Sequence, residues 1–259
     1  MGRSVVLAGA ARCPGCTLPT RWCTCGLLPP VEPRLAVQLL IHRHELAKPS
    51  STGALVGRVV AGATCHTYQR ANRYFPATGL PTTACEPGRA LWVLHPRGES
   101  WPAALDARDG PPEATKQFLL LDGTWRQAGE MLRSLEGREP PVRRVRLPDS
   151  AAAPSRYWLR EQPAPLQLST AEALMAVFRH VGEHEADRGL GLHFELHVYA
   201  TLLARGRRQL AERYLGHSPL LTEAPEILRQ LHARERVPST CSPLPRPPEP
   251  PRWPPPPTT

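Results

Sequence analysis

Phe118-Leu119-Leu120-Leu121-Asp122-Gly123-Thr124-Trp125 is the stretch whose reading decides the fold. Its apolar residues run without alternation, as in a strand covered on both faces. Gly123 permits a tight turn and Thr124 is a good helix N-cap. Ala128, Met131, Leu132 and Leu135 then recur at helical spacing, so the segment reads strand, turn, helix. Two further apolar runs share this pattern. Leu35-Ala36-Val37-Gln38-Leu39-Leu40-Ile41 leads into a polar loop from His42 to Gly53 and a helix-like stretch from Ala54 to about Ala61. Ala90-Leu91-Trp92-Val93-Leu94 leads into His95-Pro96-Arg97-Gly98, read as a second polar loop. Continuous apolar strands separated by helices predict an α/β fold, a mostly parallel sheet with helices on both faces. Ligands of such sheets bind beyond the carboxyl ends of the strands, where the three polar loops are expected to lie.

Downstream, Val142 to Leu147 reads as a short strand carrying Arg143, Arg144 and Arg146, followed by the basic loop Pro154-Ser155-Arg156-Tyr157-Trp158-Leu159-Arg160. Ser169 and Glu172 stand at capping-box spacing and open a helix to about Gly182. Another helix is expected from His193 to Leu203, closed by Arg205 and Gly206. These signals divide the chain into a cysteine-rich knuckle (1–34), an α/β domain (35–206), a helical extension (207–236) and a proline-dominated tail (237–259) that cannot bury a core.

The chain has 259 residues, 41% of them hydrophobic, enough for one sizeable core. It has no apolar run of about 18 residues, the length a membrane helix needs. The short apolar stretch at Val5-Val6-Leu7-Ala8 does not match a signal peptide, so the expected location is cytoplasmic. The formal net charge is +9, and the basic excess is mostly arginine, whose planar fork suits phosphates and stacked bases.

Four of the seven cysteines lie together as Cys13-x2-Cys16-x6-Cys23-x-Cys25. In a reducing compartment this spacing reads as a metal site, with zinc as the expected ion and an iron–sulfur cluster as the alternative. Four protein ligands leave no open position, which makes the metal structural. The His42–Gly53 loop carries His42, His44 and Glu45 but lacks a further ligand at diagnostic spacing. Ser51-Thr52-Gly53, opening a helix, can hold a carboxylate or phosphate on free backbone amides. No GxGxxG, P-loop or GxSxG motif occurs, which argues against nicotinamide, P-loop and α/β-hydrolase enzymes. Taken alone, Asp122 to Trp125 also reads simply as a well-capped helix start with Trp125 in the core.

Together these features resemble the DTW-domain family, tRNA-uridine aminocarboxypropyltransferases related to the trefoil-knotted SPOUT methyltransferases. The naming motif is Asp122-Gly123-Thr124-Trp125, within LDGTWRQAGEML from Leu121 to Leu132. The S-T-x-E-A motif is Ser169-Thr170-Ala171-Glu172-Ala173, the K-P-x-x-T-G loop is Lys48 to Gly53, and P-S-R-Y-x-L-R is Pro154 to Arg160. The resemblance implies a SPOUT-like α/β fold behind a small zinc knuckle. It implies transfer of the 3-amino-3-carboxypropyl group of S-adenosylmethionine (SAM) to N3 of a tRNA uridine, releasing methylthioadenosine. On this reading Asp122, Thr124 and Trp125 are candidate catalytic residues, with Asp122 either the base or a holder of SAM. Thr52, Gly53, Ser169, Thr170 and Glu172 are candidates to bind SAM; Lys48, Arg126, Arg156, Tyr157 and Arg160 are candidates to bind RNA. Competing readings are a SPOUT-type RNA methyltransferase and a non-enzymatic zinc-knuckle RNA-binding protein.

Overall fold

The computed structural model describes residues 10–69, 91–102, 117–135, 142–148, 154–160 and 168–236. The proline-rich tail expected at 237–259 lies outside the described residues. Among the described residues five parallel strands form one sheet: β1 (Ala36–His42), β2 (Thr64–Tyr68), β3 (Leu91–Glu99), β4 (Gln117–Asp122) and β5 (Val142–Val145), in the order β2-β1-β4-β3-β5. The expected parallel α/β class is therefore what the chain adopts.

The order sets where a ligand can sit. The chain leaves β1 through α1 (Arg43–Leu46) and α2 (Thr52–Val59) toward β2 at one edge. It leaves β4 through α3 (Trp125–Ser134) toward β5 at the other edge. Connections of a single hand that depart in opposite directions must cover opposite faces. The core shows this: Leu55, Val56 and Val59 of α2 pack with Val37, Leu39, Ile41, Phe118 and Leu120. Met131, Leu132 and Leu135 pack on the other face with Leu40, Leu91, Val93 and Leu119. Alternate residues of β1 and β4 thus feed two cores, which is why these strands read as unbroken apolar runs. β1 and β4 are neighbours with Ile41 opposite Asp122, so their carboxyl ends form the switch point of the sheet.

Two sequence expectations change. His95-Pro96-Arg97-Gly98 is not a loop after a strand; it lies inside β3 as a bulge, because Leu94 and Glu99 both register with Val145 and the residues between them are extra. The helix expected from His193 begins earlier: α5 spans His184–Ala204. Its last residues, from His193 to Leu203, are buried on every side, because α5 is packed between α4 (Thr170–His180), α2 and α6 (Arg208–Leu215). Glu183 accepts from the backbone N–H of Arg34 (2.9 Å) and Leu35 (3.0 Å), tying the start of α5 to the entry of β1.

Past α6 the chain forms α7 (Leu220–Glu223) and α8 (Pro225–Arg236). α8 packs on the cysteine knuckle, where Trp22 is fully buried edge-on to His232. Arg234 donates to the carbonyls of Cys23 (2.8 Å) and Cys25 (3.1 Å), and Tyr199 of α5 pairs with His232 (3.1 Å). No helix among the described residues is long and apolar enough to cross a membrane.

Candidate active site at the switch point

Asp122 ends β4 and is only 6% exposed. Its Oδ2 accepts from Ser51 Oγ (2.8 Å); its Oδ1 accepts from Gly53 N (3.2 Å) and Thr170 Oγ1 (2.6 Å). One carboxylate therefore joins the Lys48–Gly53 loop, the end of β4 and the start of α4. The anion expected on the free amides at the start of α2 is this internal carboxylate. Gly53 is required by the approach: a Cβ there would stand 2.5 Å from the Asp122 carboxyl carbon. Burial pushes the Asp122 carboxyl above its ordinary value, opposed by the hydrogen bonds from Thr170 and Ser51. Three of a carboxylate's roughly four acceptor positions are taken, which leaves one for a substrate.

The helix starts beside it are capped as the sequence suggests. Ser51 accepts from Ala54 N (3.0 Å). Thr124 and Gln127, and likewise Ser169 and Glu172, form reciprocal capping boxes. Thr124 does its capping at the pocket edge, whereas Glu172 faces away from the pocket. Besides Ser169 N (2.8 Å), the Glu172 carboxylate accepts from Ser155 Oγ (2.9 Å) and Arg156 N (2.7 Å), fastening the 154–160 loop to α4.

That loop spends its cations internally. Arg156 grips Glu195 through Nε (2.5 Å) and Nη2 (2.8 Å) and lies over the Tyr214 ring at 4.5 Å. Arg160 donates to Glu45 (2.6 Å) and Ser50 Oγ (3.2 Å), while Lys48 pairs with the other oxygen of Glu45 (2.5 Å). Burial of Glu45, 1% exposed, pushes its carboxyl up, but the hydrogen bonds and charges of Lys48 and Arg160 prevail and hold it below its ordinary value. The Tyr157 hydroxyl donates to the Ser50 carbonyl, so that ring is a buried brace.

A pocket of about 610 Å³ opens over this cluster. Ser50, Ser51 and Thr52 line it from one side, Asp122 to Trp125 from below, Ser169 and Thr170 from the start of α4, Leu94 and His95 from β3, and Arg146 from just past β5. Trp125 is not core: it is 48% exposed at the pocket lining, an unusual place for a large ring without a ligand to cover it. Arg126, next along α3, is exposed. Of the sequence candidates, the pocket gathers Thr52, Asp122, Thr124, Trp125, Tyr157, Arg160, Ser169 and Thr170, with Gly53 beneath Asp122. Lys48, Arg126, Arg156 and Glu172 lie outside its lining. Ser51 and Arg146 belong to it as well. The anion-holding helix start Ser51-Thr52-Gly53 pointed to Ser51, whereas nothing local marks Arg146 as a pocket residue.

In the knuckle the four thiol sulfurs lie within 4.8 Å of one another, with Cys13–Cys25 and Cys16–Cys23 at 3.8 Å. A tetrahedral zinc with Zn–S bonds of about 2.3 Å sets its sulfurs about 3.8 Å apart. Hydrogen bonding among the thiols holds Cys16 well below the ordinary thiol range against the opposing effect of burial, and together with burial pushes Cys23 well above it. Thiols so crowded cannot all ionise unless a cation joins them, and the donor set fits a zinc ion that closes the knuckle.

A parallel α/β sheet with its pocket at the switch point, a buried carboxylate on the pocket floor and a four-cysteine knuckle defines the class. The DTW domain profile matches residues 10–203, and the chain belongs to that family, which supports a role in tRNA modification. No solved structure matches the chain.

Proposed function

We propose that the protein transfers the 3-amino-3-carboxypropyl group of SAM to N3 of a tRNA uridine. The convergence of three family motifs on Asp122 beneath a pocket of about 610 Å³ carries this reading. SAM lies over the Ser51–Gly53 and Ser169–Thr170 helix starts, and the target uracil meets the exposed face of Trp125, as unstacked bases are commonly held. Uracil N3 attacks the Cγ methylene; the N3–Cγ bond forms, the Cγ–S pair returns to sulfur and neutral methylthioadenosine leaves. The N3 proton passes to the free acceptor position of Asp122 and on to water. A carboxyl raised by burial is a better proton acceptor than an ordinary one. The zinc of the cysteine knuckle stands apart as a structural group.

Nucleoside mass spectrometry of unmodified tRNA after incubation with protein and SAM tests this. Aminocarboxypropyluridine appearing with an equal amount of methylthioadenosine is expected. A methylated nucleoside with S-adenosylhomocysteine would instead make it a methyltransferase of the same fold, and no new nucleoside with SAM unbound would leave an RNA-binding protein.

A further inference from the structure

The cations around the pocket fall into two groups. Toward the 154–160 loop, Lys48 and Arg160 share the buried Glu45, and Arg156 is clasped by Glu195, so each positive charge has a carboxylate opposite it. A smaller cavity between α4, α5 and α7 repeats this, with Arg179 paired to Asp187 and Arg188 to Glu223. The wall built by β3 and β5 differs. Arg97, Arg143, Arg144 and Arg146 are all exposed there, and among the described residues no ion pair holds Arg97, Arg143 or Arg146. Arg146 donates to Ser100 Oγ (3.3 Å), and Arg143 lies over the Trp92 ring at 5.7 Å. Burial, and after it the charges of Arg97 and Arg144, lowers the pKa of His95, which lines the pocket.

The bulge in β3 builds this wall. A Cβ at Gly98 would stand 2.5 Å from the Val145 carbonyl carbon, so the bulged backbone lies directly against β5. Arg146 N donates to Glu99 O (3.0 Å) and locks the two together. Arg97 on the bulge is thereby held beside the arginines of the edge strand, at the side of the pocket. Guanidinium groups without an internal carboxylate suit phosphate oxygens, and a group of them flanking a pocket draws in a polyanion.

Resting on the reading that the substrate is tRNA, we infer that Arg97 and Arg146 on the β3–β5 wall form the surface that grips the RNA backbone beside the target nucleotide. The 154–160 loop, whose arginines are neutralised, is the pocket's frame. The rival account of this strand is protective: charged residues on an edge strand discourage pairing with another sheet.

The test measures binding of the full chain to unmodified tRNA across a salt series. Arg97→Gln/Arg146→Gln is compared with Arg207→Gln/Arg213→Gln, which removes equal charge from exposed positions on and beside α6. The pocket-wall variant should lower the slope of log K against log salt by about 1.5 to 2 and weaken binding on the order of tenfold at low salt. The control should stay near wild type. Equal slopes for the two variants would overturn the inference, as would an unchanged slope with new oligomers in the pocket-wall variant, which would support the protective role. Should the double variant fail to fold, Arg97→Gln alone, on the exposed bulge, should show about half the slope change. Binding and chemistry are read separately: tRNA bound with the expected slopes but yielding no aminocarboxypropyluridine would retain this surface and remove the proposed reaction. Wild-type protein that does not bind tRNA would remove both.

Discussion

Two places in this molecule draw separate stretches of chain together, and they do so with opposite chemistry. At the switch point a single anion, Asp122, accepts hydrogen bonds from Ser51, Gly53 and Thr170. In the knuckle four thiols surround a place for a cation. The anionic hub uses neutral donors and helix-start amides, so it stays directional and leaves an acceptor position free. The cationic hub has all its coordination satisfied by protein and leaves nothing free. A site that must receive a substrate resembles the first; one that must only hold resembles the second.

Breaking each hub should separate their roles. The largest effect is expected for Cys16→Ser: loss of about one bound zinc per chain by metal analysis and loss of the knuckle's cooperative unfolding transition, because metal binding at such sites is folding energy. Next is Gly53→Ala, whose Cβ collides with the Asp122 carboxyl. It should destabilise by about 1–3 kcal/mol in thermal or denaturant unfolding and lower turnover at least tenfold, while zinc content stays at wild type. A Gly53→Ala protein that lost its zinc would show the two hubs to be one cooperative unit.

Two buried carboxylates, Asp122 on the pocket floor and Glu45 between Lys48 and Arg160, sharpen the comparison by pH. Asp122 has its pKa raised in the fold, so its contribution is full below the ordinary aspartate value and is lost as pH rises through the folded value. Glu45 has its pKa lowered; its contribution is full above the ordinary glutamate value and is lost as pH falls through the folded value. Acidification from about pH 6 to about pH 3 should therefore shift stability in favour of wild type against Asp122→Asn, and against wild type relative to Glu45→Gln. Unfolding curves across that range check both signs, and two shifts of the same sign would refute the assignment.

The smallest effect on stability is expected at Trp125. With its ring half exposed, Trp125→Ala should stay within about 0.5 kcal/mol of wild type. Its tRNA KM should nevertheless rise about tenfold, the loss of one base–aromatic stack. An unchanged KM would show the ring does not meet the base.

The two hubs also differ in how readily the sequence reveals them. Cys13 to Cys25 sit close enough in the chain for spacing alone to announce a ligand set. Ser51, Asp122 and Thr170 come from three distant segments; each looks like a local helix start, and only the sheet order brings them to one carboxylate. The central strands β1, β3 and β4 were legible because burial on both faces leaves long apolar runs. β2 was not: Thr64-Cys65-His66-Thr67-Tyr68 is an edge strand, largely exposed until Tyr68, and has no such run. The pairing of β3 with β5 across the bulge hid the end of β3, since Pro96 and Gly98 are ordinary loop signals out of context. Arg156 and Arg160 looked free for RNA because the carboxylates that claim them, Glu195 and Glu45, are remote in sequence.

The clasp of α8 on the knuckle has a consequence in time. Cys23 and Arg234, whose guanidinium braces its carbonyl, are 211 residues apart. At roughly 5–20 residues per second, the cysteines leave the ribosome on the order of ten seconds or more before the helix that shelters them exists. Through that interval Trp22 and the thiols have no cover, and capture of a metal ion is what can protect the sulfurs from oxidation. The newborn chain therefore exposes its cysteines well before the helix that guards them exists, so zinc supply during synthesis should govern how much of the protein matures.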